Sequence, residues 1–142
     1  TVISGHKDAV QKAQELCLEK GAKRAIKLNV SIAAHSSLMN SAAKEFLVTL
    51  NNAEIKMPLI PIIHNTNAEH AKNLEELKSL LVSQLYSPVQ WVGTCKKISE
   101  NNSPIIECGP SKVLTGLFKS NKLENLFSTS DELFYEKILN YG

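Results

Sequence analysis

The apolar positions change period several times along the chain, and each period predicts an element. Thr1 to Ser4 is a short β-prone stretch ended by Gly5. Between His6 and Lys20 the apolar residues Ala9, Val10, Ala13, Leu16 and Cys17 recur three and four apart, one stripe of a helix, and Gly21 stands where a C-terminal cap belongs. Ala25, Ile26, Leu28, Val30 and Ile32 alternate imperfectly and predict a strand over Ala25 to Ile32. From about Ser37 to Asn51 the period returns to helical, with Leu38, Met39, Ala42, Ala43, Phe46, Leu47 and Leu50 on one face. Pro58 to Ile63 is a β run interrupted by Pro61, as on an edge or irregular strand, and His64 to Ala68 is a polar turn. A helix over Asn73 to Tyr86 carries Leu74, Leu77, Leu80, Leu81 and Leu85 and stops before Pro88. Trp91 to Asn101 reads as helix and Pro104 to Cys108 as a short strand. Gly109-Pro110 then turns the chain, with Ser111 placed to cap a helix over Lys112 to Lys119. The tail beyond Asn121 is polar, with a helix expected only from Asp131 to Leu139. Strands alternating with helices predict the α/β class.

Composition narrows this picture. A length of 142 residues suits one domain, and a hydrophobic fraction of 43% supplies a core. Aromatics are only 6%, so that core is mainly aliphatic. Sixteen basic against fourteen acidic residues leave a net charge of +2, scattered along the chain, which gives no footprint for nucleic acid. No apolar run approaches the roughly 20 residues of a membrane span, and no signal peptide is expected. Thr1 opens inside a strand-like stretch and is expected to be a cut end. Cys17, Cys95 and Cys108 are odd in number and widely spaced, which predicts free thiols in a reducing compartment.

The candidate chemistry centres on His35. The histidine sits between an apolar strand and an amphipathic helix, where the positive end of the helix dipole disfavours imidazolium. Ala33, Ala34 and Ser36 leave the ring approachable, as a general base requires. The plain alternative is a histidine that packs or caps. Cys108, at a strand end before Gly109-Pro110, could be a nucleophile and would make a Cys108/His35 thiol hydrolase; its plain alternative is a buried structural thiol. His64 and His70 flank a polar turn with Glu69 but lack a third metal ligand, and His6 opens a helix in solvent.

Three segments carry a resemblance: Val30-Ser31-Ile32-Ala33-Ala34-His35-Ser36-Ser37-Leu38-Met39, Gln84-Leu85-Tyr86-Ser87-Pro88-Val89-Gln90-Trp91, and Glu107-Cys108-Gly109-Pro110-Ser111-Lys112-Val113-Leu114. In this order and spacing, with Gly5-His6-Lys7-Asp8-Ala9-Val10 and Gly21-Ala22-Lys23-Arg24-Ala25 before them, the chain resembles the C-terminal half of malonyl-CoA:acyl carrier protein transacylases up to about Lys119. The resemblance implies a partial, mainly parallel α/β sheet with flanking helices, together with the closing part of a ferredoxin-like α+β subdomain. It divides the chain into residues 1–32 of that small subdomain and 33–142 of the catalytic domain.

It also implies a mechanism. In such enzymes a serine on a G-x-S-x-G elbow takes the acyl group from coenzyme A, and a histidine, here His35, activates first the serine and then the thiol of the carrier's phosphopantetheine arm. A main-chain carbonyl, here that of Gln90, fixes the tautomer of the ring. Ala34 departs from the larger or hydroxylated residue that related domains place before the histidine, where extender-unit choice is tuned.

No G-x-S-x-G elbow occurs in the sequence. The nucleophile, the arginine for the malonyl carboxylate and the oxyanion-hole glutamine are expected in an N-terminal half, and the chain alone is expected to be inactive. A sheet without its central strands is expected to expose an apolar edge. The implied substrates are malonyl-CoA and holo acyl carrier protein, with no bound cofactor and no metal. The implied partners are that carrier, the coenzyme A thioester and the N-terminal half, without nucleic acid or membrane. Lys112 and Lys119 would lend a basic surface to an acidic carrier. The bacterial cytosol or an organelle stroma is the expected compartment. A reading from another class is a non-catalytic interaction module.

Overall fold

The computed structural model describes residues 1–141. Internal contacts divide it into two compact units, the first Thr1–Val89 and the second beginning at Gln90. This is a different cut from the expected 32/33 border, which refers to subdomains of a larger fold.

The first unit contains three α-helices: α1 (Lys7–Glu19), α2 (Asn40–Asn52) and α3 (Leu74–Ser83). Helix α1 ends in a Schellman motif. Gly21 takes φ 92°, its N–H donates to Leu18 O at 3.0 Å, and Ala22 N–H donates to Cys17 O at 2.9 Å. Helices α2 and α3 bury Ala43, Leu50 and Val82 against one another, with Phe46, Ile55, Leu81 and Leu85 packed around them. Of the expected faces, Ala43, Leu50 and Leu77 are buried, whereas Leu38 and Leu47 are exposed and buried Val82 lies outside the expected stripe. Helix α3 starts as the sequence demands: Asn73 Oδ1 accepts from Glu76 N–H at 2.9 Å, and Glu76 Oε2 accepts from Lys72 N–H at 2.7 Å. The expected start of α2 at Ser37 is instead a 3-10 turn, Ser37–Met39, and the α-helix begins at Asn40.

The stretches Thr1–Ser4, Ala25–Ile32 and Pro58–Ile63, expected as strands, form no ladder among the described residues. Most of their apolar side chains stay in solvent: Ile26 is 70% exposed, Val30 62% and Leu59 fully. A strand exists only through its hydrogen-bonded neighbour, and no described strand lies beside these three. Within residues 1–32, the helix alone is regular.

The second unit is a β–α–β arrangement with two further helices. Helix α4 (Trp91–Ser99) precedes β1 (Ile105–Glu107), α5 (Val113–Ser120), β2 (Leu126–Ser128) and α6 (Phe134–Leu139). The strands pair in parallel, with Ile105 opposite Leu126, Ile106 opposite Phe127 and Glu107 opposite Ser128. Trp91 packs on buried Phe118 with ring centroids 4.7 Å apart, and Cys95 of α4 is buried as well. The chain is thus a partial α/β structure, two parallel strands flanked by helices: the class that the pattern predicted, with the partial parallel sheet that the resemblance implied.

Two local expectations change. Ser111 does not cap α5. The Glu107 carboxylate, reaching from β1, accepts from Leu114 N–H (3.0 Å), Thr115 N–H (2.7 Å) and the Thr115 hydroxyl (2.6 Å). A carboxylate satisfies two backbone donors at once and suits the positive end of the helix, so the helix starts one residue later than a Ser111 cap would set. Strand β2 was read as polar tail; it is too short for alternation to register.

Candidate functional site

His35 occupies a turn that is held from several sides. Its backbone is left-handed, φ 62°, a conformation that costs an L-residue about 1–2 kcal/mol and persists only where its surroundings impose it. The C-terminus of α3 supplies the seat. Tyr86 N–H and Ser87 N–H both donate to Ser83 O, at 3.1 and 2.8 Å, turning the chain back. Onto this turn His35 N–H donates to Leu85 O at 2.8 Å, and the ring Nδ1 lies 3.2 Å from Ser87 O. On the other flank the Ser36 hydroxyl donates to Ala33 O at 2.7 Å and accepts from Leu38 N–H at 3.3 Å, capping the 3-10 turn. The Ser4 hydroxyl donates to Ala34 O at 2.5 Å.

The ring chemistry follows. A carbonyl only accepts, so Nδ1 carries the proton and, in the neutral ring, Nε2 is the acceptor. His35 is exposed, so that lone pair is open to an incoming proton donor. The resemblance assigns the orienting carbonyl to Gln90; the carbonyl seen within reach of Nδ1 is that of Ser87, three residues earlier on the same connection. The Gln90 carbonyl accepts from Thr94 N–H at 2.9 Å in the first turn of α4. Ser87 and Ser4 both escaped the sequence reading. One acts through its backbone, and the other is 30 residues away from the peptide it binds.

No protein-family profile matches the chain. Over 119 residues, 83% of the chain, it is 44% identical to the malonyl CoA-acyl carrier protein transacylase of Haemophilus influenzae, covering 38% of that protein. Over 132 residues, 92% of the chain, it is 42% identical to the Bacillus subtilis protein of the same name, covering 42% of it. The chain is homologous to the C-terminal part of malonyl CoA-acyl carrier protein transacylases. Solved structures agree. The transacylase of Xanthomonas oryzae superimposes with a TM-score of 0.90 at 34% identity, over 96% of this chain and 44% of that one. A malonyl-transacylase solved in complex with its type II PKS acyl-carrier protein gives 0.86 at 34% identity, over 97% and 45%. The chain therefore spans less than half the length of the transacylases it matches.

The other candidate residues separate from this centre. Cys108 is exposed, not the buried structural thiol of the plain reading, and it is Cys95 that is buried, with burial pushing its thiol pKa up. Nothing in the comparisons favours a Cys108/His35 hydrolase. His70 Nδ1 donates to Ile62 O at 3.0 Å, and no group of three potential metal ligands occurs among the described residues. His64 is buried, and desolvation, followed by the nearby His70, lowers its pKa, opposed by Glu76. Lys112, expected on a basic surface, is paired with Asp131, which also lies 3.8 Å from Lys137. No helix among the described residues is long and apolar enough to cross a membrane.

Proposed function

We propose that this chain is the base-bearing part of an acyltransferase that moves a malonyl group from coenzyme A to acyl carrier protein. The observation that carries the reading is the His35 ring, with Nδ1–H turned to a backbone carbonyl and Nε2 open. The names of the relatives supply the substrates. The serine comes from an N-terminal half that the sequence does not contain.

In the first half-reaction Nε2 takes the serine proton as the serine oxygen attacks the thioester carbonyl. Collapse of the tetrahedral adduct breaks the C–S bond, and the imidazolium returns the proton to the departing coenzyme A sulfur. In the second, Nε2 takes the proton of the carrier's thiol as its sulfur attacks the acyl-serine. Collapse breaks the ester C–O bond, and the proton returns to the serine oxygen. A ring of fixed tautomer serves all four transfers without rotating. The main-chain carbonyl of Ser87 lies within reach of Nδ1, whereas the resemblance gives that role to Gln90. Neither a metal nor a bound cofactor enters these steps: the serine oxygen carries the acyl group and the imidazole carries the proton. The proposed setting is the bacterial cytosol or an organelle stroma.

The test is complementation. The chain is co-expressed with the N-terminal half of the Haemophilus influenzae relative, and malonyl transfer from coenzyme A to holo acyl carrier protein is followed. Activity is expected only with both halves, falling about 10²–10⁴-fold with His35→Ala. Transfer that survives His35→Ala would reduce this chain to a scaffold, and transfer by the chain alone would overturn the assignment of the serine elsewhere.

A further inference from the structure

We infer that Ser4 is a positioning residue for the His35 imidazole; this rests on the reading of His35 as the base. The Ala34–His35 peptide is gripped at both ends. Its N–H donates to Leu85 O at 2.8 Å, and its C=O accepts from the Ser4 hydroxyl at 2.5 Å. These two bonds together fix the plane of that peptide, and the plane sets φ of His35.

That restraint matters because φ of 62° is uphill for histidine. The ring's own bond does not supply the deficit: at 3.2 Å, Nδ1···Ser87 O lies at the long end of the range for N–H···O. The direction of the imidazole therefore leans on its backbone, and the backbone leans on Ser4. The Ser4 hydroxyl also explains why an extended segment with no strand partner is anchored where it is. It ties residues 1–5 across 30 positions to the turn that carries the base. Ala34 has no side-chain hydroxyl to grip its own carbonyl from the other side, so nothing local replaces Ser4.

Loss of the hydroxyl leaves Ala34 O to water and frees the peptide to swing about its remaining bond. The Nδ1–H···Ser87 contact then opens part of the time, and the ring samples the other tautomer, in which Nε2 carries the proton and cannot accept one. The expected signature is a fall in kcat, not in substrate binding, because Ser4 touches no substrate in this scheme.

Ser4→Ala and Ser4→Thr are compared with the parent in the two-half enzyme reconstituted from separately expressed halves, with only this chain carrying ¹⁵N-histidine. The His35 resonances are assigned by their loss in His35→Ala. Ser4→Ala is expected to move the His35 nitrogen shifts toward the Nε2–H form and to lower kcat about 3- to 10-fold with KM for malonyl-CoA unchanged, the loss of about one hydrogen bond. Ser4→Thr, which keeps the hydroxyl, is expected to restore both. Unchanged nitrogen shifts in Ser4→Ala would overturn the tether, and changed shifts with an unchanged kcat would overturn its role in positioning. The reading of His35 itself fails separately, if the His35→Ala enzyme keeps its rate while the Ser4→Ala shifts still move.

Discussion

Leu50→Ala tests whether the α2–α3 core holds the histidine's seat. Leu50 is 7% exposed and packs with Ala43 and Val82, with Phe46, Ile55, Leu81 and Leu85 around them. The substitution removes three buried carbons. At about 0.8 kcal/mol each, the transfer term alone is about 2.4 kcal/mol. A residual cavity adds to this, as in other leucine truncations that span about 2–5 kcal/mol. Phe46 and Leu85 are only partly buried and can slump into the gap, which holds the cavity term down. The expected loss is about 3 kcal/mol, read as a lower urea midpoint at unchanged slope by circular dichroism. Leu85 belongs to this cluster and its carbonyl accepts the His35 N–H, so Leu50→Ala is also expected to perturb the His35 ring resonances. A loss under about 1 kcal/mol would show that the cluster does not act as a packed core. A full loss with unmoved His35 resonances would show that the seat is held without it.

Two glycines predict opposite signs for one substitution. An added Cβ meets nothing within 4 Å at Gly21 or at Gly116, so backbone conformation alone decides. Gly21→Ala at φ 92° is expected to lose about 1 kcal/mol, whereas Gly116→Ala inside α5 is expected to gain about 0.5–1 kcal/mol, both by urea denaturation. Glu107 makes the second unit acid-sensitive. The Thr115 hydroxyl first, then the backbone N–H groups of Thr115 and Leu114, hold its carboxyl below the usual glutamate range, against an opposing desolvation. With the folded pKa depressed, its contribution is complete above the unfolded glutamate value and disappears as pH falls through the folded one. Urea midpoints between about pH 3 and pH 6 are expected to rise with pH in the parent and less steeply in Glu107→Gln, where the lowered Asp131 carboxyl still contributes; equal slopes in both would exclude Glu107 as a source.

Helices were legible where a stripe met a stripe within the chain. The leucines of α3 and the Ala43–Leu50 face of α2 bury one another, and Gly21 and Asn73 act as the caps that their types announce. The strands were legible in type but not in outcome. Ile26, Leu28, Val30 and Ile32 have the alternation of a strand, yet alternation states only which side chains seek cover, whereas a ladder needs a second chain segment at hydrogen-bonding distance. Only β1 finds one among the described residues. It finds it in β2, whose three residues, Leu126 to Ser128, are too few to display a period.

The site divides in the same way, between what a residue type announces and what only a fold can bring. His35 announces itself, because imidazole is the one side chain whose ordinary pKa suits proton transfer near neutrality. The group that gives the ring its direction does not. Any residue offers a carbonyl, so the identity of the residue at the Ser87 or Gln90 position carries no information about which oxygen faces Nδ1; that depends on how α3 ends and how tightly Ser83 turns the chain. Ser4 lies between these cases. Its hydroxyl is visible in the sequence, but a serine in a β-prone stretch has many uses. Only the fold, by bringing it to Ala34 O, sets that hydroxyl against the peptide that precedes His35.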